Sequence, residues 1–293
     1  MHAGNIFASL MAWLQVRSQG GQMVLRIEDL DEARSKPHFI DLIQQDLELL
    51  GLTWDHGPYY QSVRDEAYEE AFQRISEQAR LYPCFCTRAD LAAVSAPHLG
   101  EKAVYPGTCR HLSPAEAELR IQAGEDAAWR VEVPSRSFGF EDALQGSYGQ
   151  QLSEGCGDFI LRRKDGAFAY QLAVVVDDAS QGVTSVTRGI DLLSSTPQQM
   201  FLQDLLGYPH PEYLHVPLLV NEQGRRLSKR DGDASLEEML TRFRTPQGII
   251  GHIAFLAGLQ PEDEPATPDE LIAVYDRDSL KERLQGQISI PWE

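Results

Sequence analysis

Residues 172–176, Leu-Ala-Val-Val-Val, are apolar at every position. Such a run reads as a strand buried on both faces, the signature of a parallel sheet with both sides covered. The chain supplies helices to cover it. Gly4 to Arg17 places Ile6, Leu10, Trp13 and Leu14 on one helical face, and Gly20-Gly21 closes that segment. Met23 to Ile27 is a short, mostly apolar run expected as a strand that delivers Glu28 and Asp29 at its C-terminal end. Ser35 is placed to cap a helix whose stripe is Phe39, Ile40, Leu42, Ile43, Leu47 and Leu50, ending at Gly51, and Asp65 to Ala79 is a second amphipathic helix.

Trp129, Val131 and Val133 alternate with charged residues as a half-exposed strand does, and Asp158 to Leu161 and Leu214 to Val220 are further strand candidates. Thr196-Pro197 opens a helix with Met200, Phe201, Leu205 and Leu206 inward and Gly207 at its end. Beyond Arg230 the pattern is helical only. The Ser235/Glu238 capping box, Thr245-Pro246 and Thr267-Pro268 open three helices, the last of the chain among them. An α/β fold follows, with a catalytic-type sheet domain over 1–233, a loop-rich insert at about 82–112 within it, and a small helical region over 234–293. There is no internal repeat or low-complexity tract.

Composition limits the function classes. With 42% hydrophobic and 24% charged residues in 293, the chain is globular rather than disordered. No run approaches the ~20 apolar residues of a membrane helix, and no signal peptide opens the chain, so a cytoplasmic protein is expected. The 26 basic and 44 acidic residues leave a net charge of −18, which excludes a protein that holds nucleic acid by indiscriminate phosphate attraction. Two local basic runs remain, Arg162-Arg163-Lys164 and Arg225 to Arg230.

Two separated motifs carry candidate phosphate chemistry. His2-Ala3-Gly4-Asn5 stands just ahead of the first helix, where free N–H groups and the helix dipole favour an anion and glycine permits close approach; a plain polar cap is the alternative reading. Arg226-Leu227-Ser228-Lys229-Arg230 follows a strand and a turn at Asn221 to Gly224, so a basic loop can close on phosphates and offset the charge of phosphoryl displacement; a solvated charge run is its alternative. Four cysteines are too few for a disulfide scaffold in a chain of this size, but three of them, Cys84, Cys86 and Cys109, cluster as zinc thiolates do, given a fourth donor. Tyr105, His98 and His111 lie nearby, and buried reduced thiols remain the other reading. Cys156 lies outside this cluster in sequence and is read as a core or surface thiol.

The order of these motifs across an α/β chain resembles that of class I aminoacyl-tRNA synthetases, with His2 to Asn5 in the place of the HIGH signature and Arg226 to Arg230 in that of KMSKS. Leu25 to Asp29, Gly51-Leu52-Thr53-Trp54-Asp55 with Gln61-Ser62, and Arg188 to Leu193 with Ser195-Thr196-Pro197 narrow the resemblance to the glutamyl and glutaminyl branch. Only residues 231–293 follow the second signature, too few for an anticodon-binding domain, so the chain is most similar to the truncated glutamyl-queuosine tRNA(Asp) synthetase family.

That resemblance implies a Rossmann-like class I catalytic domain with a zinc-binding insert, activation of glutamate by ATP with magnesium, and transfer to the queuosine base in the anticodon of tRNA(Asp), by a monomer. It implies catalytic roles for His2, Gly4, Asn5 and Lys229. ATP is assigned to His2, Gly4, Arg226, Leu227, Ser228, Lys229 and Arg230, and glutamate to Glu28, Tyr170 and Arg188. Structural zinc is assigned to Cys84, Cys86, Cys109 and Tyr105. Within the pocket, Glu28 suits the ammonium, Arg188 the side-chain carboxylate in its planar fork, and Tyr170 a hydrogen bond. Asp177-Asp178 is left out of the site. Family chains open with a strand and turn ahead of the first signature, whereas Met1 stands one residue before His2; a sheet lacking its first, central strand is therefore expected, with weak ATP binding and impaired activation. The alternatives are a non-catalytic binding paralogue and a free-standing glutamyl-tRNA(Glu) synthetase.

Overall fold

The computed structural model describes residues 1–31, 35–87, 89–91, 104–225, 227 and 235–292. Helix α1 (Ala3–Arg17) starts at His2, whose ring accepts the Asn5 backbone N–H at 3.3 Å. Strand β1 (Val24–Ile27) pairs in parallel with β2 (His56–Tyr60). Between them, α2 (Pro37–Leu49) begins from Lys36 and not from Ser35, because the proline already suits the first turn. Its expected apolar stripe is only partly used: Leu47 and the following Leu50 are buried, while Phe39, Leu42 and Ile43 face solvent.

Helix α3 (Asp65–Gln78) precedes β3 (Leu81–Cys84), and α4 (Pro114–Gln122) opens with a Ser113/Glu116 capping box. Strands β4 (Ala128–Val131), β5 (Ser137–Asp142) and β6 (Gly146–Gln151), the short helix α5 (Leu152–Gly155) and β7 (Phe159–Arg162) follow. On β4 the expected alternation fails at Arg130, which is buried because its guanidinium lies against the Tyr105 ring, 3.8 Å from its centroid.

The apolar run at 172–176 is not a strand. It lies inside helix α6 (Tyr170–Ser180), where all five residues are buried against α3, β7 and the later helix α7 (Thr196–Leu206). A helix enclosed on every side loses its polar stripe, so composition alone does not separate it from a buried strand. The parallel pairing comes instead from β8 (Ser185–Gly189) on β9 (Glu212–Val216), with β9 also against β5. That sheet runs β6-β5-β9-β8, and β3-β4-β7 form a separate antiparallel one. Among the described residues β1 pairs only with β2 and β8 only with β9, so their outer edges meet no further strand.

Strand β10 (Leu218–Val220) leads toward the C-terminal helices α8 (Leu236–Phe243), α9 (Pro246–Ala257), α10 (Pro268–Ile272) and α11 (Arg277–Leu284). Two expectations fail here. Helix α11 follows the one opened by Thr267-Pro268, and the region is not helical throughout, since β11 (Ser289–Pro291) returns to pair in parallel with β10. These helices share one apolar core with α1. Among the described residues no helix is long and apolar enough to cross a membrane.

A buried carboxylate ties α3 to α6. Asp177, with a fully buried side chain, accepts from Gln61 at 2.8 Å, Arg64 at 2.6 Å and Tyr68 at 2.9 Å. Asp177→Ala strands three donors together, and the expected loss is about 3 kcal/mol of unfolding free energy in a urea titration. A change within a few tenths of that of the parent shows that the cluster contributes nothing net.

Candidate active site and metal centre

A cleft of about 680 Å³ opens between β1 and β8 over one face of α1. Over its first three turns α1 presents mainly small residues to the cleft, Gly4, Ala8, Ser9 and Ala12, and larger ones, Trp13, Gln15 and Val16, toward its C-terminal end. Gly4 sits beside the His2 ring, where an added Cβ would stand 3.3 Å from the ring carbon. His2, Gly4, Asn5, Glu28, Tyr170, Arg188 and Leu227 all line this one cleft. Leu227, the one described residue of the second motif, is buried in the wall of the cleft that the first motif lines. Arg226, Ser228, Lys229 and Arg230 lie outside the described residues.

Glu28 leaves the end of β1 with 42% of its side chain exposed to the cleft, and Arg26 lies 3.3 Å away. The surrounding walls desolvate the Glu28 carboxylate and raise its pKa, against the pull of Arg26. Asp178 lines the same cleft and pairs with Arg26 at 2.8 Å; burial raises its pKa too, again opposed by Arg26. Tyr170, the first residue of α6, has its hydroxyl pKa raised by burial and by the charge of Glu28. Asp177, set aside from the sequence-based site, is indeed a packing group, but its neighbour Asp178 belongs to the cleft.

Arg188 is held from behind. Its Nε donates to His215 Nε2 at 3.0 Å and its Nη2 to Thr196 Oγ1 at 2.8 Å, while Tyr213 lies under the guanidinium with its ring centroid 5.4 Å away. His215 in turn meets Asp142 at 2.6 Å. Burial lowers the His215 pKa although Asp142 opposes it; burial of Asp142 is in turn outweighed by His215 and backbone N–H donors, so its pKa falls. Arg26 and Thr196 stand inside the sequence motifs but were given no role, Asp178 was left out of the site, and Asp142 and His215 were not singled out at all. Their roles depend on partners far along the chain, and no local spacing marks them.

The second centre sits where β3 ends. The Sγ atoms of Cys84, Cys86 and Cys109 all lie within 4.8 Å of one another, and none of the three is in a disulfide. The Tyr105 hydroxyl lies 3.4 Å from Cys84 Sγ and 4.0 Å from Cys86 Sγ, and accepts the Cys109 backbone N–H at 2.9 Å. Tyr105 is brought there by a bridge to Gly157, whose φ of +66° and missing Cβ allow the close approach; a Cβ would stand 2.4 Å from the Tyr105 carbonyl. Burial disfavours the Cys84 thiolate, but Tyr105 and Arg130 outweigh it and lower the pKa, whereas burial and the neighbouring thiols push Cys86 up to about 11. This donor set fits a thiophilic ion, which would offset the mutual repulsion of the thiolates. His111 is not among the converging side chains, and His98 lies outside the described residues.

The basic run Arg162-Arg163-Lys164 is engaged internally. Arg162 pairs with Glu69 at 3.2 Å, Arg163 with Asp165 at 2.5 Å, and Lys164 donates to the Phe85 carbonyl at 2.8 Å.

The family described as tRNA synthetases class I (E and Q), catalytic domain, matches residues 1–273. The chain belongs to this family. It is 46% identical over 288 residues to a protein of Symbiobacterium thermophilum named Glutamyl-Q tRNA(Asp) synthetase, covering 94% of this chain and 88% of that one. A protein of the same name from Nitratidesulfovibrio vulgaris is 42% identical over 294 residues, covering 97% and 90%. The fold is that of the crystal structure of glutamate-tRNA synthetase from Elizabethkingia anophelis, with a TM-score of 0.82 at 23% identity. That likeness covers all of this chain but 66% of the other, so the chain spans just under two thirds of that protein.

Proposed function

We propose that the cleft activates glutamate with ATP and passes it to the queuosine base of tRNA(Asp). The relatives named for this activity support the reading at the level of the whole chain. The observation that carries it to particular residues is the Arg188 guanidinium, fixed by His215 and Thr196 from behind and open to a cleft that also holds Glu28 and Tyr170. In this scheme Arg188 takes the side-chain carboxylate, Glu28 the ammonium, and Tyr170 a hydrogen bond to the substrate. An oxygen of the glutamate α-carboxylate attacks the α-phosphorus of ATP and pyrophosphate leaves. A queuosine hydroxyl then attacks the acyl carbon of the adenylate, loses its proton and displaces AMP.

His2, Gly4 and Asn5 receive phosphate at the start of α1. Leu227 is buried in the cleft wall, and in this scheme its sequence neighbours Arg226, Ser228, Lys229 and Arg230 bind the triphosphate, with magnesium neutralising part of its charge. Residues 1–233 form the catalytic unit and 234–293, helices with one returning strand, its buttress, in a monomeric cytoplasmic enzyme. Zinc, held by Cys84, Cys86, Cys109 and Tyr105, closes the insert as a structural ion: four protein donors leave no position for a reacting water.

Three experiments test these assignments. Arg188→Ala should lower glutamate-dependent ATP–pyrophosphate exchange about a hundredfold or more, since a site built around a charge pair tolerates its loss badly; equal exchange by variant and parent removes Arg188 from the pocket. Radiolabelled glutamate should appear on queuosine-containing tRNA(Asp) and not on the same tRNA lacking queuosine, whereas label on the 3′ end of tRNA(Glu) replaces this reading by an ordinary synthetase. Elemental analysis of chelator-free protein should find one zinc per chain, with weaker retention in Tyr105→Phe; zinc-free protein refutes the assignment, and unchanged retention removes the tyrosine alone.

A further inference from the structure

Behind the cleft lies a buried relay that the mechanism above does not use. His215 has no exposed surface and Asp142 is 1% exposed. Asp142 Oδ2 takes the imidazole Nδ1, while Nε2 faces Arg188 Nε at 3.0 Å and, further off, the Thr196 hydroxyl at 3.5 Å, which can donate to the same lone pair. A guanidinium has donors only, so Nε2 must present its lone pair and the ring proton must sit on Nδ1, donated to Asp142. The carboxylate has no freedom to turn. Its Oδ1 accepts the backbone N–H of Leu144 at 3.0 Å, of Gln145 at 2.8 Å and of His215 at 3.1 Å, which leaves Oδ2 alone for the ring.

Arg188 is oriented by the same logic. Its Nε–H is taken by His215 and one Nη2 hydrogen by Thr196. What remains is the end of the guanidinium formed by Nη1 and the second Nη2 hydrogen, two parallel donors that match two carboxylate oxygens. A side-chain amide supplies one acceptor and sets its own N–H against the other donor. The ring acts as an orienting group only while it is neutral, because an imidazolium would turn a second donor toward Arg188. Burial and the nearby guanidinium both disfavour that cation.

We propose that Asp142 and His215 form a positioning pair for substrate selection: Asp142 fixes the Nδ1-protonated tautomer of His215, which fixes the edge of Arg188 that is offered to a ligand carboxylate. This proposal rests on the reading of Arg188 as the group that holds the glutamate side chain. Neither residue touches the substrate.

Asp142→Asn isolates the effect. Because three backbone N–H groups claim the oxygen at the Oδ1 position, the amide nitrogen must face His215 Nδ1. The ring proton is then driven to Nε2, where it opposes the Arg188 Nε–H. The expected result is a KM for glutamate raised about ten- to a hundredfold, the size of a lost charge-assisted hydrogen bond, with the KM for ATP unchanged and a narrowed preference for glutamate over glutamine. Equal changes in both KM values together with a lowered Tm identify a merely structural pair and overturn the proposal. A nitrogen-15 NMR spectrum of the parent chain decides the matter without any variant: protonated Nδ1 with a lone-pair Nε2 is expected, and an Nε2-protonated or doubly protonated ring at neutral pH overturns it. Arg188→Ala separates the two levels. If it leaves the glutamate KM unchanged, the pocket reading falls and the proposal with it; if it raises that KM while Asp142→Asn does not, only the positioning role falls.

Discussion

Everything in the cleft depends on helix α1 being anchored on one side by large buried residues while its first turns offer mainly small ones to the cleft. Ile6, Phe7, Leu10, Met11 and Leu14 are almost wholly buried, and at roughly 1.5–3 kcal/mol for each such side chain they set where the helix lies. Their partners are largely the C-terminal helices, which join α1 in a single apolar core. The same region also reaches the start of the helix, where the Leu236 N–H donates to the Met1 carbonyl and His2 bridges to Ser235. The C-terminal segment is therefore part of what positions the His2 end of the cleft, and its packing is coupled to the cleft through α1.

Around that scaffold, charge is buried only where it is answered. Asp177 gathers three donors, Arg26 is matched by Asp178 and Glu28, and Asp142 by His215 and three backbone groups. Isolated, any of these charges would cost several kcal/mol. Satisfied, they fix side-chain rotamers in a part of the molecule where two sheets meet across open space. Among the described residues β1 and β8 share no hydrogen-bonded neighbour, so these polar contacts join the cleft walls where strand pairing does not.

Much of this was legible in the sequence wherever a local rule operates. The Ser235/Glu238 box, Thr245-Pro246, Thr196-Pro197 and the Gly207 terminus stand where spacing put them. The helix at 172–176 was misread because a segment enclosed by α3, α7 and β7 has no solvent-facing side to betray its period. Motif order placed His2, Gly4, Asn5, Glu28, Tyr170, Arg188 and Leu227 in one cleft, and three cysteines separated by a loop do converge. What stayed hidden was the support: Arg188 to His215 to Asp142 spans 27 and then 73 residues. Nothing in the local pattern around any of the three announces the other two.

The hidden layer also bears on how so acidic a chain handles anionic ligands. At a net charge of −18 a general positive potential is not available, and the basic run at 162–164 is engaged by Glu69, Asp165 and a backbone carbonyl. Attraction must then come from a few donors at short range. Arg188 illustrates the arrangement: it is nearly buried, and its rear edge is occupied by neutral acceptors, a histidine nitrogen and a threonine hydroxyl, rather than by a carboxylate. A carboxylate there would cancel the charge that a ligand must see. Neutral acceptors orient the guanidinium and leave its charge intact, with the compensating Asp142 one imidazole further away. Arg26 shows the opposite choice, since Asp178 and Glu28 answer it directly. Of the two described arginines that line the cleft, Arg26 is paired directly with carboxylates, whereas Arg188 is hydrogen-bonded by neutral groups alone.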